Sequence, residues 1–318
     1  MGHQQKIRPR RWWTWGMTLG LGIGLLHGVS GAYGYEEATV VDGGTLTGTV
    51  QLKGGKPRAR EFNLVTYADH IYCGRISDGN GWRLFRDFTV GEGGGVKDVV
   101  VMLTGITHGK PFADDASRSE AANCQLKPYV MIARRQSKVE IVNMDPVLHD
   151  IQAYETSEFG PRLLFESALP PSPDHPPTAR LDAEYRTLIP GELMTKAIHM
   201  TKGRRAFVMQ CGIHEFMESW GLAVDNPYYA LTDQSGRFEI DGIPPGNYKL
   251  VVWHPKARAV TERDVTIPAK GSVSATFEVQ PRGVTRDRED TVDHSGYNLG
   301  NPKLREIKPT LELQRESD

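Results

Sequence analysis

Cysteine is scarce: the 318-residue chain has three, Cys73, Cys124 and Cys211. The count is odd, so in an oxidising compartment at least one thiol is left over and needs a reason to stay unpaired. A surplus of either charge is also missing, with 38 Lys and Arg against 39 Asp and Glu. No basic stripe points to nucleic acid. The apolar run from Trp12 to Leu26 is interrupted by glycines and is short for a membrane-spanning helix. No Ser–His–Asp arrangement, carboxylate pair or phosphate loop stands in a convincing context, so an enzyme is not expected. No internal repeat is present.

Turns are plentiful. The 34 Gly and 20 Pro fall mostly singly between short apolar runs, which suits all-β structure. The length accommodates two β-domains plus tails. Lys6, Arg8, Arg10 and Arg11 precede the apolar run, and Ala32-Tyr33-Gly34 follows it. A basic segment, a short apolar segment and small residues make a secretory signal over 1–34, with an uncleaved anchor as the alternative. The mature chain is then expected to begin near Tyr35, in the periplasm or outside the cell, with no transmembrane span.

Further along, 39–53 reads as strand, turn, strand, and a looser stretch follows to Gly95. Val96 to Leu103 is a strongly β-branched run. Tyr129 to Ala133 and Lys138 to Asn143 are short strands, and Val139 and Ile141 share a face of the second. Six prolines in 168–191 indicate a long surface loop. Arg205 to Cys211 is a strand with Phe207, Met209 and Cys211 on one face and Ala206, Val208 and Gln210 on the other. After about residue 224, short strands and turn signals at regular spacing describe a second, smaller antiparallel sandwich. From Pro281 to Asp318 the chain is charged and poor in aromatics, as a flexible tail would be.

Chemistry concentrates in Cys211-Gly-Ile-His214-Glu-Phe-Met217. A thiolate, an imidazole and a thioether can converge on one ion if this loop curls, and the set suits copper. Two His and a Cys in a trigonal set with a weak axial Met is the blue-copper arrangement. The second imidazole must come from elsewhere, and His149, in Asn143-Met-Asp145-Pro-Val-Leu-His149-Asp150, is best placed. Cys73 and Cys124 are then the expected disulfide, although Cys211 could instead be a buried structural thiol or the partner of either. His254 is expected at the edge of a core, and His70, His108, His175, His199 and His294 in solvent.

An Asn-x-Asp-x₃-His loop followed by a Cys-x₂-His-x₂-Met loop resembles the cupredoxin family. With NPYYALTDQSGRFEIDGIPPGNYKLVVWHP after it, the sequence looks like exported bacterial proteins that join a plastocyanin-like domain to a carboxypeptidase regulatory-like domain. The resemblance spans roughly 46–270. It implies an all-β chain: a cupredoxin-like Greek-key β-sandwich followed by a smaller transthyretin-like, carboxypeptidase regulatory-like β-sandwich. The expected domains are a 35–95 β segment packing on the sandwiches, a copper domain at 96–224, the regulatory-like sandwich at 225–280 and the tail at 281–318. The resemblance assigns one type 1-like copper ion to His149, Cys211, His214 and Met217. Two departures stand out. Met217 follows the second His more closely than plastocyanin-like loops usually allow, and Tyr129 stands where many relatives have histidine.

The expected function is one-electron transfer with an unidentified redox partner such as a cytochrome or a membrane oxidoreductase. Glu215 and Phe216 are expected to line the rim where that partner docks. The alternatives are a non-catalytic structural, adhesion or binding module, or a copper storage or delivery protein.

Overall fold

The computed structural model describes residues 34–282 except 58, 79–80, 86–87, 114–115 and 157–158. The expected signal therefore lies outside the described residues apart from Gly34, as do His294 and the tail from 283 onward. No helix among the described residues is long and apolar enough to cross a membrane.

The chain folds as an all-β protein, with four principal sheets separated by three apolar layers. The outer sheet of the first sandwich orders Met194–Ala197, Lys138–Asn143, Ala116–Ala121 and Leu126–Lys127 side by side. Its inner sheet orders Arg162–Leu169, His149–Glu155, Ala206–Cys211, Glu218–Val224 and Val130–Arg134. In the second sandwich the inner sheet is Tyr229–Leu231, Val100–Thr104, Gly246–Trp253 and Thr261–Ile267, and the outer sheet Arg237–Ile243, Gly44–Leu52 and Ser272–Val279.

Alternation along the strands explains the layering, because successive side chains of a strand point to opposite faces. On Ala206–Cys211, Phe207, Met209 and Cys211 enter the core of the first sandwich, where Val139 and Ile141 meet them. Ala206 and Val208 turn the other way, toward Val100, Met102, Val251 and Trp253 of the second sandwich. Val101, Leu103, Leu250 and Val252 then face Leu46, Val50, Phe238 and Phe277. The central strands of the two inner sheets are thus buried on both faces, which is why Val99 to Leu103 reads as an unbroken apolar run. Gly221, cross-strand from Phe207, leaves room for that ring: a Cβ there would lie 1.9 Å from Phe207 Cζ.

Sheet membership differs from the expected domain limits. Val100–Thr104 pairs with Tyr229–Leu231 and Gly246–Trp253 of the second sandwich rather than with the first. Gly44–Leu52 pairs with Arg237–Ile243 and, in parallel, with Ser272–Val279. The second sandwich therefore takes two strands from before the first sandwich and five from after it. Hydrogen bonding between such distant segments leaves no local trace in sequence.

Residues 60–85 make a small excursion of their own. Arg60–Asn63 pairs with Trp82–Phe85, and between them lie two 3₁₀ turns and the short helix His70–Cys73. Cys73 is disulfide-bonded to Cys124, which ties the excursion to the first sandwich. Cys211 is left as a free, buried thiol.

Candidate metal centre

Strand register brings the two distant halves of the site together. Ile151 lies opposite Cys211 across an antiparallel pair, so His149, two residues before Ile151, shares the face that Cys211 uses. That face looks into the core of the first sandwich. Cys211 ends its strand, and the chain curls at once: the Met217 N–H donates to the His214 carbonyl (2.8 Å) and the Cys211 N–H to the Met217 carbonyl (3.1 Å). The turn swings His214 back over Cys211. Gly212 allows it, because a Cβ there would meet Asp150 Oδ2 at 2.8 Å and Gln152 Nε2 at 2.7 Å.

The resulting triangle is tight. His149 Nδ1 is 3.3 Å from His214 Nδ1, and Cys211 Sγ is 3.8 Å from the first and 3.7 Å from the second. A point equidistant from the three atoms lies about 2.1 Å from each, against about 2.0–2.3 Å for imidazole and thiolate bonds in zinc sites. All three residues are 0% exposed. Among the described residues this is the one His, Cys, Asp and Glu group that converges closely enough to hold an ion. Met217 is fully buried in the same core.

The surroundings orient both imidazoles alike. His149 Nε2 is 3.1 Å from Asp145 Oδ2, and His214 Nε2 is 3.1 Å from the Ala68 carbonyl. A carbonyl can only accept, so Nε2 of His214 carries the hydrogen, and the carboxylate favours the same tautomer for His149. Both Nδ1 lone pairs are then free to face the sulfur. Asp145 is itself fully buried and saturated: it accepts from Tyr72 Oη (2.9 Å), the Asn123 N–H (2.6 Å) and the Cys124 N–H (2.8 Å). Asn143 braces the loop by donating to the carbonyls of Val147 (2.8 Å) and Leu169 (2.9 Å). The Asp150 N–H points at Cys211 Sγ from 3.4 Å.

Electrostatics couples the thiol of Cys211 to the imidazole of His149. Burial opposes charge on Cys211, but hydrogen bonds with His149 and His214 outweigh it and hold the thiol down at about 5. Burial likewise opposes charge on His149, yet Asp145 and Cys211 pull it up to about 9. A thiolate between two imidazoles in a dry core needs a neighbouring positive charge, which a proton on His149 or a metal ion within the triangle would each supply.

The excursion at 60–85 covers the site, a feature the sequence did not disclose. Ala68 caps His214, and Cys73 Sγ lies 3.8 Å from His214 Nε2. Phe216 was expected at an exposed rim but is 1% exposed, with Phe62 and Tyr67 edge-on to its ring. Two apolar residues of the excursion need a partner surface, and Phe216 provides it. The proline-rich loop also closes on this pole: the Gly191 N–H donates to the Asn143 carbonyl at 2.7 Å. His175 in that loop is buried against Tyr185 rather than solvated. His254 packs on Phe88 with its ring centre 4.2 Å away, as a core-edge histidine would. Asp145 was the supporting residue that spacing could have flagged, four positions before His149 in the loop that delivers it.

Residues 223–280 match the carboxypeptidase regulatory-like domain family. The match holds the five later strands of the second sandwich and not the two earlier ones. Among solved structures, a purple cupredoxin from Nitrosopumilus maritimus is 14% identical and aligns over 34% of this chain and 99% of its own, with a TM-score of 0.24. Auracyanin from Roseiflexus castenholzii is 11% identical over 35% and 98%, TM-score 0.24. Amicyanin from Paracoccus versutus is 15% identical over 39% and 97%, TM-score 0.21. A search of curated proteins found no match.

Proposed function

We propose that this is an exported, mononuclear copper protein that carries single electrons and performs no catalysis of its own. The observation behind this reading is the triangle of two Nδ1 atoms and one Sγ, sized for a single ion and closed to water. His149, His214 and Cys211 would hold the ion strongly, and Met217, buried in the same core, would be a weaker fourth donor. Bound there, copper would supply a couple between Cu(I) and Cu(II).

The protein's own part is to keep the ligands still. Asp145 fixes the ring of His149, Ala68 fixes that of His214, and the Asp150 N–H shares the sulfur charge. Ligands held by strands and by hydrogen bonds need little rearrangement between oxidation states. The hydrogen bond from His214 to Ala68 is a short link from the ligand set to an exposed residue. A redox partner, such as a cytochrome or a membrane oxidoreductase, would then dock over the excursion near Ala68 and not at Phe216.

Absorption and electron-paramagnetic-resonance spectra of the Cu(II)-loaded protein test the reading. An intense thiolate-to-copper band should be present, and Cys211→Ser should abolish it. His149→Ala and His214→Ala should perturb it strongly, and Met217→Leu mildly. A Cys211→Ser protein with unchanged copper affinity and spectrum would overturn the proposal.

A further inference from the structure

A cavity of about 390 Å³ opens beside the metal pole, bordered by Arg83, Phe85, Lys127, Tyr129, Glu218 and Asp98. It lies where the 60–85 excursion, the first sandwich and the segment entering the second sandwich meet. Its volume falls in the range of about 300–1,000 Å³ usual for small-molecule sites.

Arg83 is the unusual wall. Its residue is 9% exposed, and its guanidinium lies over the rings of Phe85 (4.8 Å) and Phe216 (5.4 Å). Nη1 donates to the carbonyls of Cys124 (3.3 Å) and Phe216 (3.0 Å). Nε and Nη2 have no such acceptor, and Arg83 forms no ion pair among the described residues. Neither atom is among the sealed, unpartnered side-chain atoms of the described residues. Arg83 lines the cavity with two guanidinium nitrogens left without a hydrogen-bond acceptor among the described residues. Burial pushes this guanidinium down to about 10, with Glu218 working against the shift and Arg60 adding to it.

The carboxylates nearby are largely engaged by other cations, although Glu218 still counters part of the cost of burying Arg83. Glu218 Oε1 is already held by Arg60 (2.7 Å), Lys256 (3.2 Å), Tyr129 Oη (3.2 Å) and Trp220 Nε1 (3.2 Å). Asp98 sits 3.5 Å from Lys97. Lys127 adds a second cation to the wall, so Arg83 and Lys127 stand against Glu218 and Asp98, each of which already has a cation of its own. The apolar remainder is aromatic, from Phe85 and Tyr129.

We infer that this cavity is a binding site for a small organic carboxylate, seated on the free edge of Arg83 with its apolar body against Phe85 and Tyr129. The guanidinium fork matches a planar carboxylate bidentately, and the aromatic walls favour a flat body over a compact, fully hydrated oxyanion. The inference does not depend on copper, since neither Arg83 nor the cavity belongs to the ligand set.

Isothermal titration of the full chain with benzoate, and separately with inorganic phosphate, tests it. Benzoate should bind saturably at one site and more tightly than phosphate. Arg83→Met should weaken benzoate by roughly tenfold or more, the effect of losing a charged hydrogen-bonding partner. Because Arg83 also braces two carbonyls, a second variant leaves it intact: Thr89→Trp, at an exposed position on the cavity wall, should block entry without disturbing near-ultraviolet circular dichroism. Absence of saturable benzoate binding, or binding unchanged in both variants, would overturn the site. Phosphate binding as tightly as benzoate would overturn the assigned ligand class.

Discussion

The two sandwiches bury different things between their sheets. The first encloses a thiol, two imidazoles and a carboxylate at one pole, all bonded to one another or to the covering excursion. The second encloses an apolar layer from Leu46 and Val50 through Leu103 and Val252 to Phe277. Its buried polar side chains hold backbone instead: Asn226 donates to the Leu103 carbonyl at 2.9 Å, Thr232 to the Val96 carbonyl at 2.6 Å, and His254 Nδ1 accepts from the Lys256 N–H at 3.2 Å. Burying ionisable groups costs stability unless each is paired, so a core that keeps them is built for a task. One sandwich holds the candidate site, and the other gives it a wall to lean on.

The strongest way to break that comparison is to cut the layer the sandwiches share. Trp253 is 1% exposed and packs with Val208, Trp220 and Leu222. Trp253→Ala should cost about 3–5 kcal/mol. Differential scanning calorimetry should then resolve two transitions where the wild type shows one. A single, unshifted transition would mean the shared layer contributes little. Next comes the disulfide, which belongs to the first sandwich alone. Replacing Cys73 and Cys124 by Ala should cost about 2–4 kcal/mol. Hydrogen exchange should accelerate at 60–85 and around Asp145, while the strands from Gly246 to Val279 keep their protection.

A smaller loss is expected from Asp145→Asn, about 1.5–3 kcal/mol, because an amide cannot accept from Tyr72, two backbone N–H groups and His149 together. Denaturant titration gives the cost, and ¹⁵N shifts of the His149 ring should report a changed tautomer balance. The mildest test concerns Glu155, far from the ligands. Burial works against its charge, but Arg162 (2.9 Å) and the Thr201 N–H (2.6 Å) hold its carboxyl below the usual range. Its contribution is present above its unfolded value and fades as pH falls through the lower folded one. Glu155→Gln should therefore be slightly less stable at neutral pH, and the two proteins should converge in acid. A gap that persists under acid conditions would assign the effect to packing.

The residues that converge at the candidate site were legible because their signals are local. Cys211, His214 and Met217 lie within one loop, and Phe207, Met209 and Cys211 alternate on one strand. His149 was reachable through the loop that carries it. What the sequence withheld was non-local. Val96 to Leu103 reads clearly as strand, but two buried faces give no hint of which sheet claims it. The stretch at 60–85 has little regular structure, so nothing in its pattern reveals that Ala68 covers His214 or that Phe62 and Tyr67 cover Phe216.

The strand pairing of the second sandwich sets an order on biosynthesis. Gly44–Leu52 and Val100–Thr104 leave the ribosome early, yet their partners begin only at Tyr229. Between them the whole first sandwich is made and can close as soon as Val224 has emerged. The early strands meanwhile expose unpaired edges, the kind of surface that invites aggregation. A chain stopped near Asn226 would keep every strand of the first sandwich and strand those two without a sheet, so its solubility should depend on removing them as well.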